Sequence, residues 1–326
     1  MLLPAAVACE MVLLAVMLAL ALAGLLGVVV DRRRRLLRLA AMGASYIVVE
    51  MATLALFFGS WLARPVTGPE RAGKTDLRLL AWALGRILAA ARHTVGFQIS
   101  LQEPPPGSPS LSLLTGEEPV LVLARHGGIG DSFSLVWLLA HRYRRRPRIV
   151  LKGVLLWEPL LDVALTRMNA CFLPRNAPAG ETPGARVGAL CAGLQPGDAL
   201  LLFPEGGNWT PARRLRAMSR LWAARKSAAL KAAALMEHVM APRTGGVLAC
   251  LKARPGLPVV VVAHTGLDEI VSAGQLWRAV PFTTPMSVTW WPAPPAPAGD
   301  EERTAWLTTE WAVVDEWIAA RRSVRR

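Results

Sequence analysis

The amino-acid sequence predicts an α/β fold in which helices flank a central, mostly parallel sheet, with a hydrophobic membrane-anchoring helical segment at the N-terminus. Two observations lead to this prediction. Over the C-terminal two thirds, short apolar runs alternate with longer stretches of helical period, which is typical of α/β layers. The first 64 residues are almost entirely apolar outside a cluster of arginines. We therefore divide the chain into an anchor, residues 1–64, and an α/β domain, residues 65–326, that ends in an amphipathic helix.

The composition fits a protein that works at a membrane. The 326 residues include 37 Lys and Arg against 23 Asp and Glu, a formal net charge of +14, and 53% of them are hydrophobic. A basic and apolar chain suits an anionic lipid surface, although the charge alone would suit nucleic acid equally well. The four cysteines are scattered and no Cys/His group has ligand spacing, so we expect neither a disulfide framework nor a metal site.

The first apolar run, residues 5–30, is interrupted only by Glu10. Its 26 residues would form a helix of about 39 Å, which is longer than the roughly 30 Å hydrocarbon core of a bilayer. A secretory signal is the alternative, but no basic residues precede the run, and Asp31 followed by four arginines is a poor cleavage site. We expect this run to span or dip into the membrane.

A second apolar stretch, residues 37–63, carries Glu50 and is less purely apolar. The four arginines at 32–35 precede it and further basic residues follow Trp61, and both flanks favour the cytoplasmic side. Two full spans would place one basic flank outside. The stretch is therefore predicted to re-enter or to lie along the interface, with the chain after residue 64 on the cytoplasmic side of the cell membrane.

The remaining chain predicts a series of alternating strands and helices. The strands are short apolar runs, whereas the helices are longer and have a helical period. The last helix places Leu307, Trp311, Val314 and Ile318 on one stripe, which we interpret as core packing. The candidate strands are residues 119–124, 148–151, 170–173, 199–203, 259–264 and 286–291. The candidate helices are residues 131–143, 159–168, 185–194, 213–240 and 301–322.

The first segment with candidate catalytic residues is 120–134. An apolar strand ends there at His126, three glycines follow, and a helix begins near Asp131. A carboxylate here can accept a hydrogen bond from one imidazole nitrogen and leave the other free to take a proton. Such a pair lacks its own nucleophile, so the hydroxyl of a substrate would supply one. The spacing alone is weak evidence, but its position at a glycine-rich strand end strengthens it.

A second corner, residues 200–210, runs from an apolar strand into a proline, an acid and two glycines. We expect Glu205 there to hydrogen-bond a polyol or to fix a neighbouring charged side chain. A solvated glutamate in a turn is the alternative.

Charged residues follow three other predicted strands. Lys152 and Arg175 are placed to bind a phosphate, or they are simply solvated. His264 also ends a strand, but Asp268 lies four residues further on instead of five. We therefore interpret His264 as a packed or hydrogen-bonding histidine.

Taken together, these segments resemble the glycerolipid acyltransferases, above all the 1-acylglycerol-3-phosphate acyltransferases. The resemblance covers roughly residues 115–320 and rests on the order of the motifs along the chain. A His-x4-Asp motif is catalytic in that family, and it falls here on His126 and Asp131. A second motif of the family ends in a phosphate-binding arginine, which falls on Arg175, and a lysine upstream of it resembles Lys152.

The third motif of the family, Phe-Pro-Glu-Gly, is intact and implies a role in binding the acyl acceptor. It consists of Phe203, Pro204, Glu205 and Gly206. The segment 238–246 resembles the branch that includes the lysocardiolipin acyltransferases, which nominates Arg243 as a further substrate-binding residue.

Four positions depart from the family pattern. Asn169 replaces the glycine that opens the second motif, Val261 replaces a proline, and Gly207-Asn208 replaces the Thr-Arg after the third motif. Loss of that arginine weakens the case for a phosphorylated acceptor unless another arginine supplies the charge. The candidates for this role are Arg243, Arg213 and Arg214.

The resemblance implies an enzyme that transfers a fatty acyl group to a lysophospholipid hydroxyl, with 1-acylglycerol-3-phosphate as the first expectation and phosphatidic acid as the product. Another lysolipid or glycerol 3-phosphate is the alternative acceptor. Acyl-CoA or acyl carrier protein is the expected co-substrate and membrane lipids are the expected partners, while no cofactor, metal or nucleic acid is implied.

Amides near Gly130 to Ser132 are candidates for holding the oxyanion. The arginines at 142–148 either receive coenzyme A phosphates or form a membrane-facing or solvated patch.

Two other functions compete with this one. A lipase or esterase would share the His-Gly-Gly segment, but it needs a Gly-x-Ser-x-Gly nucleophile elbow that the sequence lacks. A basic membrane scaffold or nucleic-acid-binding protein would leave both strand-end corners as accidents, and no nucleic-acid motif supports it.

Overall fold

The computed structural model describes most of the chain. The described residues are 2–27, 31–108, 112–128, 130–152, 159–168, 171–173, 182–268 and 270–323. Arg175 and Asn169 lie outside them, and Lys152 is described only as part of a strand.

Three long helices form the N-terminal third. They are α1 (Leu2–Leu26), α2 (Arg35–Thr67) and α3 (Pro69–Val95), and neighbouring helices in this series pack against each other. Both α1 and α2 are long and apolar enough to cross a membrane, and α1 exposes most of its large apolar side chains. The two helices support membrane association, because apolar surface of this extent is unfavourable in water.

The helix α3 links this region to the rest of the chain, and the sequence did not predict it. Gly68 separates α3 from α2 and adopts a φ of 76°, a value that favours glycine. Leu80, Leu84 and Ile87 of α3 are buried in the core that covers one face of the sheet. The helix therefore belongs to the packing of the α/β domain as well as to the anchor.

In the described part of the chain, seven strands form one mixed sheet, which confirms the predicted fold class. In the order β1-β7-β6-β2-β5-β3-β4, strands β2 to β6 run parallel, while β7 pairs antiparallel with β6, and β1 pairs parallel with β7. Six of them match the predicted strands within two residues, and β1 was not predicted. The strands are β1 (Ile99–Leu101), β2 (Val120–Ala124), β3 (Arg146–Lys152), β4 (Cys171–Leu173), β5 (Asp198–Leu202), β6 (Val259–Thr265) and β7 (Met286–Pro292).

Helices cover both faces of the sheet, which explains why its central strands are apolar throughout instead of alternating. In β2, Val120 and Val122 face the core shared with α3, whereas Leu121 and Leu123 face the opposite core. The remaining helices are α4 (Ser112–Thr115), α5 (Asp131–Trp137), α6 (Pro159–Arg167), α7 (Pro183–Ala192), α8 (Pro211–Ala223), α9 (Ser227–Leu235), α10 (Thr244–Ala253), α11 (Ala273–Ala279) and α12 (Asp300–Ser323). A π-helical turn over Leu138–Arg142 continues α5.

The prediction of one helix over residues 213–240 is wrong, because two helices, α8 and α9, fold back on each other. Arg225 between them has a φ of 53°, which ends the regular helix. The Arg214 Nε atom of α8 donates to the Met236 carbonyl at 2.6 Å, just after α9. The stretch after α9 thereby returns toward the sheet instead of continuing as helix.

The run of arginines at 142–148 lies at the amino end of β3, opposite the end of the sheet that carries His126. Arg145 is buried and donates to the carbonyls of Leu113, Leu114 and Glu118. Arg146 and Arg148 both pair with the Asp198 carboxylate, at 2.9 and 3.0 Å. These three arginines therefore stabilise the fold, whereas Arg142 and Arg144 are exposed.

Candidate active site

The strand β2 places His126 at the carboxyl end of the sheet, two residues after its last residue. Asp131 begins α5 across a glycine-rich turn, and the His126 Nδ1 atom lies 2.9 Å from the Asp131 Oδ2 atom. The structure thus brings together the two residues that the sequence singled out as a catalytic pair. The carboxyl ends of parallel strands are where ligands bind in open α/β sheets.

Glycines are required in this turn because neighbouring atoms lie too close to leave room for a Cβ atom. A Cβ atom on Gly128 would lie 2.3 Å from the Leu267 carbonyl oxygen. A Cβ atom on Gly127 would lie within 2.7 Å of the buried side chains of Arg125 and Asp268. Any larger residue at either position would push the turn away and separate His126 from its carboxylate partner.

Asp131 is buried and its two oxygens are fully engaged. Besides His126, Oδ2 accepts from the amides of Gly127 at 2.8 Å and Gly128 at 3.2 Å. The Oδ1 atom accepts from the amide and the hydroxyl of Ser132, at 2.6 and 3.1 Å. The Ser132 amide is therefore occupied by Asp131, which removes it from the predicted candidates for holding an oxyanion.

These contacts decide the charge of Asp131. Burial is the largest single influence and raises the pKa, but the hydrogen bond from His126 and the attraction of His264 and His126 oppose it. With the Gly128 amide they lower the pKa of Asp131 to about 2. The carboxylate is therefore ionised at neutral pH and can stabilise an imidazolium beside it.

The His126 ring is held by Asp131 and Phe203 and remains partly exposed. It packs on Phe203 with ring centroids 4.6 Å apart, and its side chain is 23% exposed. Since Nδ1 shares its proton with Asp131, Nε2 is the free nitrogen of the neutral ring. His126 also lines a cavity of the α/β domain, which is where a substrate hydroxyl would meet this base.

The cavity has a volume of about 570 Å³ and is mostly apolar. Leu80 and Leu84 of α3, with Val136 and Ile149, form an apolar part of its wall. The third-motif corner and two arginines also line the cavity. These residues are Phe203, Pro204, Gly206, Gly207, Asn208, Arg213 and Arg243. Among the residues that the structure describes, no cluster of His, Cys, Asp or Glu side chains is arranged to hold a metal ion.

Two of the three candidate arginines line this cavity. The Arg243 guanidinium lies against Gly206, where an added Cβ atom would come within 2.9 Å of it, and the Arg243 amide donates to the Pro204 carbonyl at 2.8 Å. Arg213 donates to the Asn208 carbonyl at 3.2 Å. Arg214 instead holds the end of α9, so it does not supply charge to the cavity.

Glu205 is not among the residues that line the cavity, and its role in substrate binding stays a prediction. It is buried, its Oε1 atom accepts from the His126 amide at 3.3 Å, and its Oε2 atom accepts from the Met240 amide at 2.9 Å. A carboxylate fits here because two backbone amides need an acceptor. Glu205 therefore positions the backbone of His126 and of the segment that carries Arg243.

A buried polar network behind His126 was missed by the sequence analysis. The Arg125 guanidinium pairs with the Asp268 carboxylate and donates to the carbonyls of His264 at 2.9 Å and His238 at 2.8 Å. The His264 Nε2 atom lies 2.8 Å from the Arg125 carbonyl oxygen and 3.6 Å from the Asp131 Oδ2 atom. No local pattern distinguishes a buried arginine after an apolar strand from a solvated one.

His264 is fully buried, as expected for a packed, hydrogen-bonding histidine. Burial is the main influence on its pKa and lowers it, so the ring is neutral at neutral pH. A neutral ring adds no buried charge beside the Arg125–Asp268 pair.

The replacement of Glu205 by Gln tests the buried state of this carboxyl. Burial raises the pKa of Glu205 from 4.5 to about 7. The stabilisation that results from this raised pKa is therefore fully present below pH 4.5 and is lost as the pH rises to 7. Over this range the free energy of unfolding of the wild type should fall relative to that of Glu205→Gln by about 3 kcal/mol. Urea unfolding in detergent at both pH values measures the difference, and parallel pH profiles would show that Glu205 is not desolvated.

Comparisons with known proteins agree with this arrangement. The family model described as Acyltransferase matches residues 101–265, which is just over half of the chain and includes both corners of the site. No curated protein sequence matches the chain.

A solved structure shares the fold. It is the 1-acyl-sn-glycerophosphate (LPA) acyltransferase PlsC from Thermotoga maritima, at a TM-score of 0.50 and 15% sequence identity. The match covers 84% of this chain and 98% of the PlsC chain. With the family model and the fold in agreement, the chain belongs to the Acyltransferase family.

Proposed function

We propose that this protein transfers a fatty acyl group from acyl-CoA or acyl carrier protein to the hydroxyl of a lysophospholipid, with 1-acylglycerol-3-phosphate as the acceptor and phosphatidic acid as the product. The observation that carries the proposal is the His126–Asp131 pair in the wall of a mostly apolar cavity that Arg213 and Arg243 also line. The activity stated in the name of PlsC is consistent with it.

In the proposed mechanism His126 is the general base. Its Nε2 atom accepts the proton of the acceptor hydroxyl as the oxygen attacks the thioester carbonyl. The ionised Asp131 stabilises the resulting imidazolium through the 2.9 Å hydrogen bond to Nδ1. The tetrahedral intermediate then breaks its carbon–sulfur bond, and the leaving thiolate takes the proton from His126. Neither step requires an acyl-enzyme.

The two arginines of the cavity support a phosphorylated acceptor. Arg213 and Arg243 flank the third-motif corner and supply positive charge, although Asn208 stands where the family pattern has an arginine. A guanidinium binds phosphate through two parallel hydrogen bonds. The apolar wall from α3 and α5 suits the acyl chains of both substrates.

The packing of α2 supports a location at the membrane surface, with the α/β domain on the cytoplasmic side. Glu50 of α2 is buried and accepts from the Leu160 amide of α6 at 3.3 Å, and Ser60 of α2 donates to Asp76 at 3.0 Å. A helix whose polar residues bind the enzymatic domain is not surrounded by lipid along its length. This favours α1 as the spanning helix, with the arginines at 32–35 on the cytoplasmic side.

The first test is His126→Ala, measured by acyl transfer on membranes offered labelled acyl-CoA and 1-acylglycerol-3-phosphate. Loss of the base should lower kcat by about 10²–10⁴-fold while the protein stays in the membrane fraction. His93→Ala removes an exposed histidine from α3 and should leave activity unchanged. Turnover retained in His126→Ala would reject the assigned base.

The second test asks whether the acceptor carries a phosphate. Arg243→Gln should raise KM for 1-acylglycerol-3-phosphate by about tenfold, because a charge-assisted phosphate contact is lost. KM for a neutral lysolipid should change little. Arg142→Gln removes the same charge from an exposed site at the other end of the sheet and serves as the control. An equal effect on both acceptors would argue for a neutral lysolipid instead.

A further inference from the structure

The helices α8 and α9 form a basic hairpin, residues 211–235, which leaves apolar side chains uncovered. No residue of α8 is buried. Leu215 is 60% exposed and Trp222 is 74% exposed, and their spacing of seven residues places them on one stripe of the helix. Leu235, at the end of α9, is 83% exposed. A helix that packs only within its own domain would bury these residues.

The hairpin is also strongly charged with one sign. It contains seven basic residues and no acidic residue. Helical periodicity places Arg216 and Arg220 on a face of α8 that adjoins the apolar stripe, and both are exposed. Basic residues beside an exposed Trp and Leu stripe are typical of a helix that lies in the interface of an anionic bilayer. The basic residues are Arg213, Arg214, Arg216, Arg220, Arg225, Lys226 and Lys231.

The hairpin is fixed to the mouth of the active-site cavity. Thr210 caps α8 by accepting from the Arg213 amide at 3.1 Å, and Arg213 itself lines the cavity. Arg214 ties the end of α9 to α8 through the Met236 carbonyl. The exposed stripe therefore has a set position relative to the cavity.

The helix that follows the candidate membrane helices borders the same cavity. Leu80 and Leu84 of α3 line it, and α3 follows α2, a candidate membrane helix, directly after Gly68. The cavity that Arg213 lines therefore has part of its wall on a helix joined directly to a candidate membrane helix.

We propose that the basic hairpin is a second membrane contact, which docks on an anionic lipid surface and seats the cavity mouth on the bilayer. The apolar stripe enters the interface while the arginines bind lipid phosphates. This membrane contact does not depend on the proposed function. Its consequence, that lysolipid enters the cavity directly from the bilayer, does rest on the proposed function.

Hydrogen exchange on the full chain in nanodiscs tests the contact without requiring turnover. Exchange over residues 211–223 should be about tenfold slower in discs of phosphatidylcholine with phosphatidylglycerol than in discs of phosphatidylcholine alone. This difference should be abolished in two double variants, Leu215→Ser/Trp222→Ser and Arg216→Gln/Arg220→Gln. Arg142→Gln/Arg144→Gln removes the same charge from exposed sites at the other end of the sheet and should retain it.

An activity assay provides the second measurement. Leu215→Ser/Trp222→Ser should raise KM for lysolipid embedded in anionic vesicles several-fold, while kcat in detergent stays at the wild-type value. Slow exchange that persists in both hairpin variants would overturn the proposal. So would protection that appears only on addition of acyl carrier protein, because the hairpin would then bind an acidic protein. A chain that shows the lipid-dependent protection but transfers no acyl group would contradict the proposed function alone.

Discussion

The buried carboxylate of Asp131 is the feature on which the rest of the site depends. Its two oxygens accept hydrogen bonds from two glycine amides, from the Ser132 amide and hydroxyl, and from the His126 imidazole. A carboxylate at this depth stays ionised only because these donors outweigh the cost of burial. The glycine-rich turn, the buried strand before it and the helix after it are the means by which the fold delivers those donors.

A second layer of polar contacts holds the surroundings of this pair in place. Glu205 binds the His126 amide and the Met240 amide, so one buried side chain fixes the backbone of the base and the segment leading to Arg243. The Arg125–Asp268 pair joins the ends of β2 and β6 beneath the turn. The base and the segment leading to Arg243 are thereby kept in one arrangement, which is what a preorganised site requires.

The parts that could be predicted from sequence are those governed by local patterns. Strands buried on both faces are apolar throughout, so β2, β5 and β6 were evident, and the His126–Asp131 corner followed from its glycines. The long helix α3 was missed, although Leu80, Leu84 and Ile87 recur at the spacing of an apolar helix face. The split between α8 and α9 and the inward direction of Glu205 depend on partners distant in the chain. Long-range hydrogen bonds of this kind leave no mark on the spacing of residues.

The central claim is that the proton of the neutral His126 ring resides on Nδ1, toward Asp131, leaving Nε2 bare for the acceptor hydroxyl. Nitrogen NMR of protein labelled at histidine reports this directly, with His126→Ala used to assign the signal. At a pH well above the ordinary titration range of histidine, the account predicts a protonated Nδ1 and an unprotonated Nε2. A ring protonated on Nε2 would contradict it, because that nitrogen would then have no lone pair with which to take a proton.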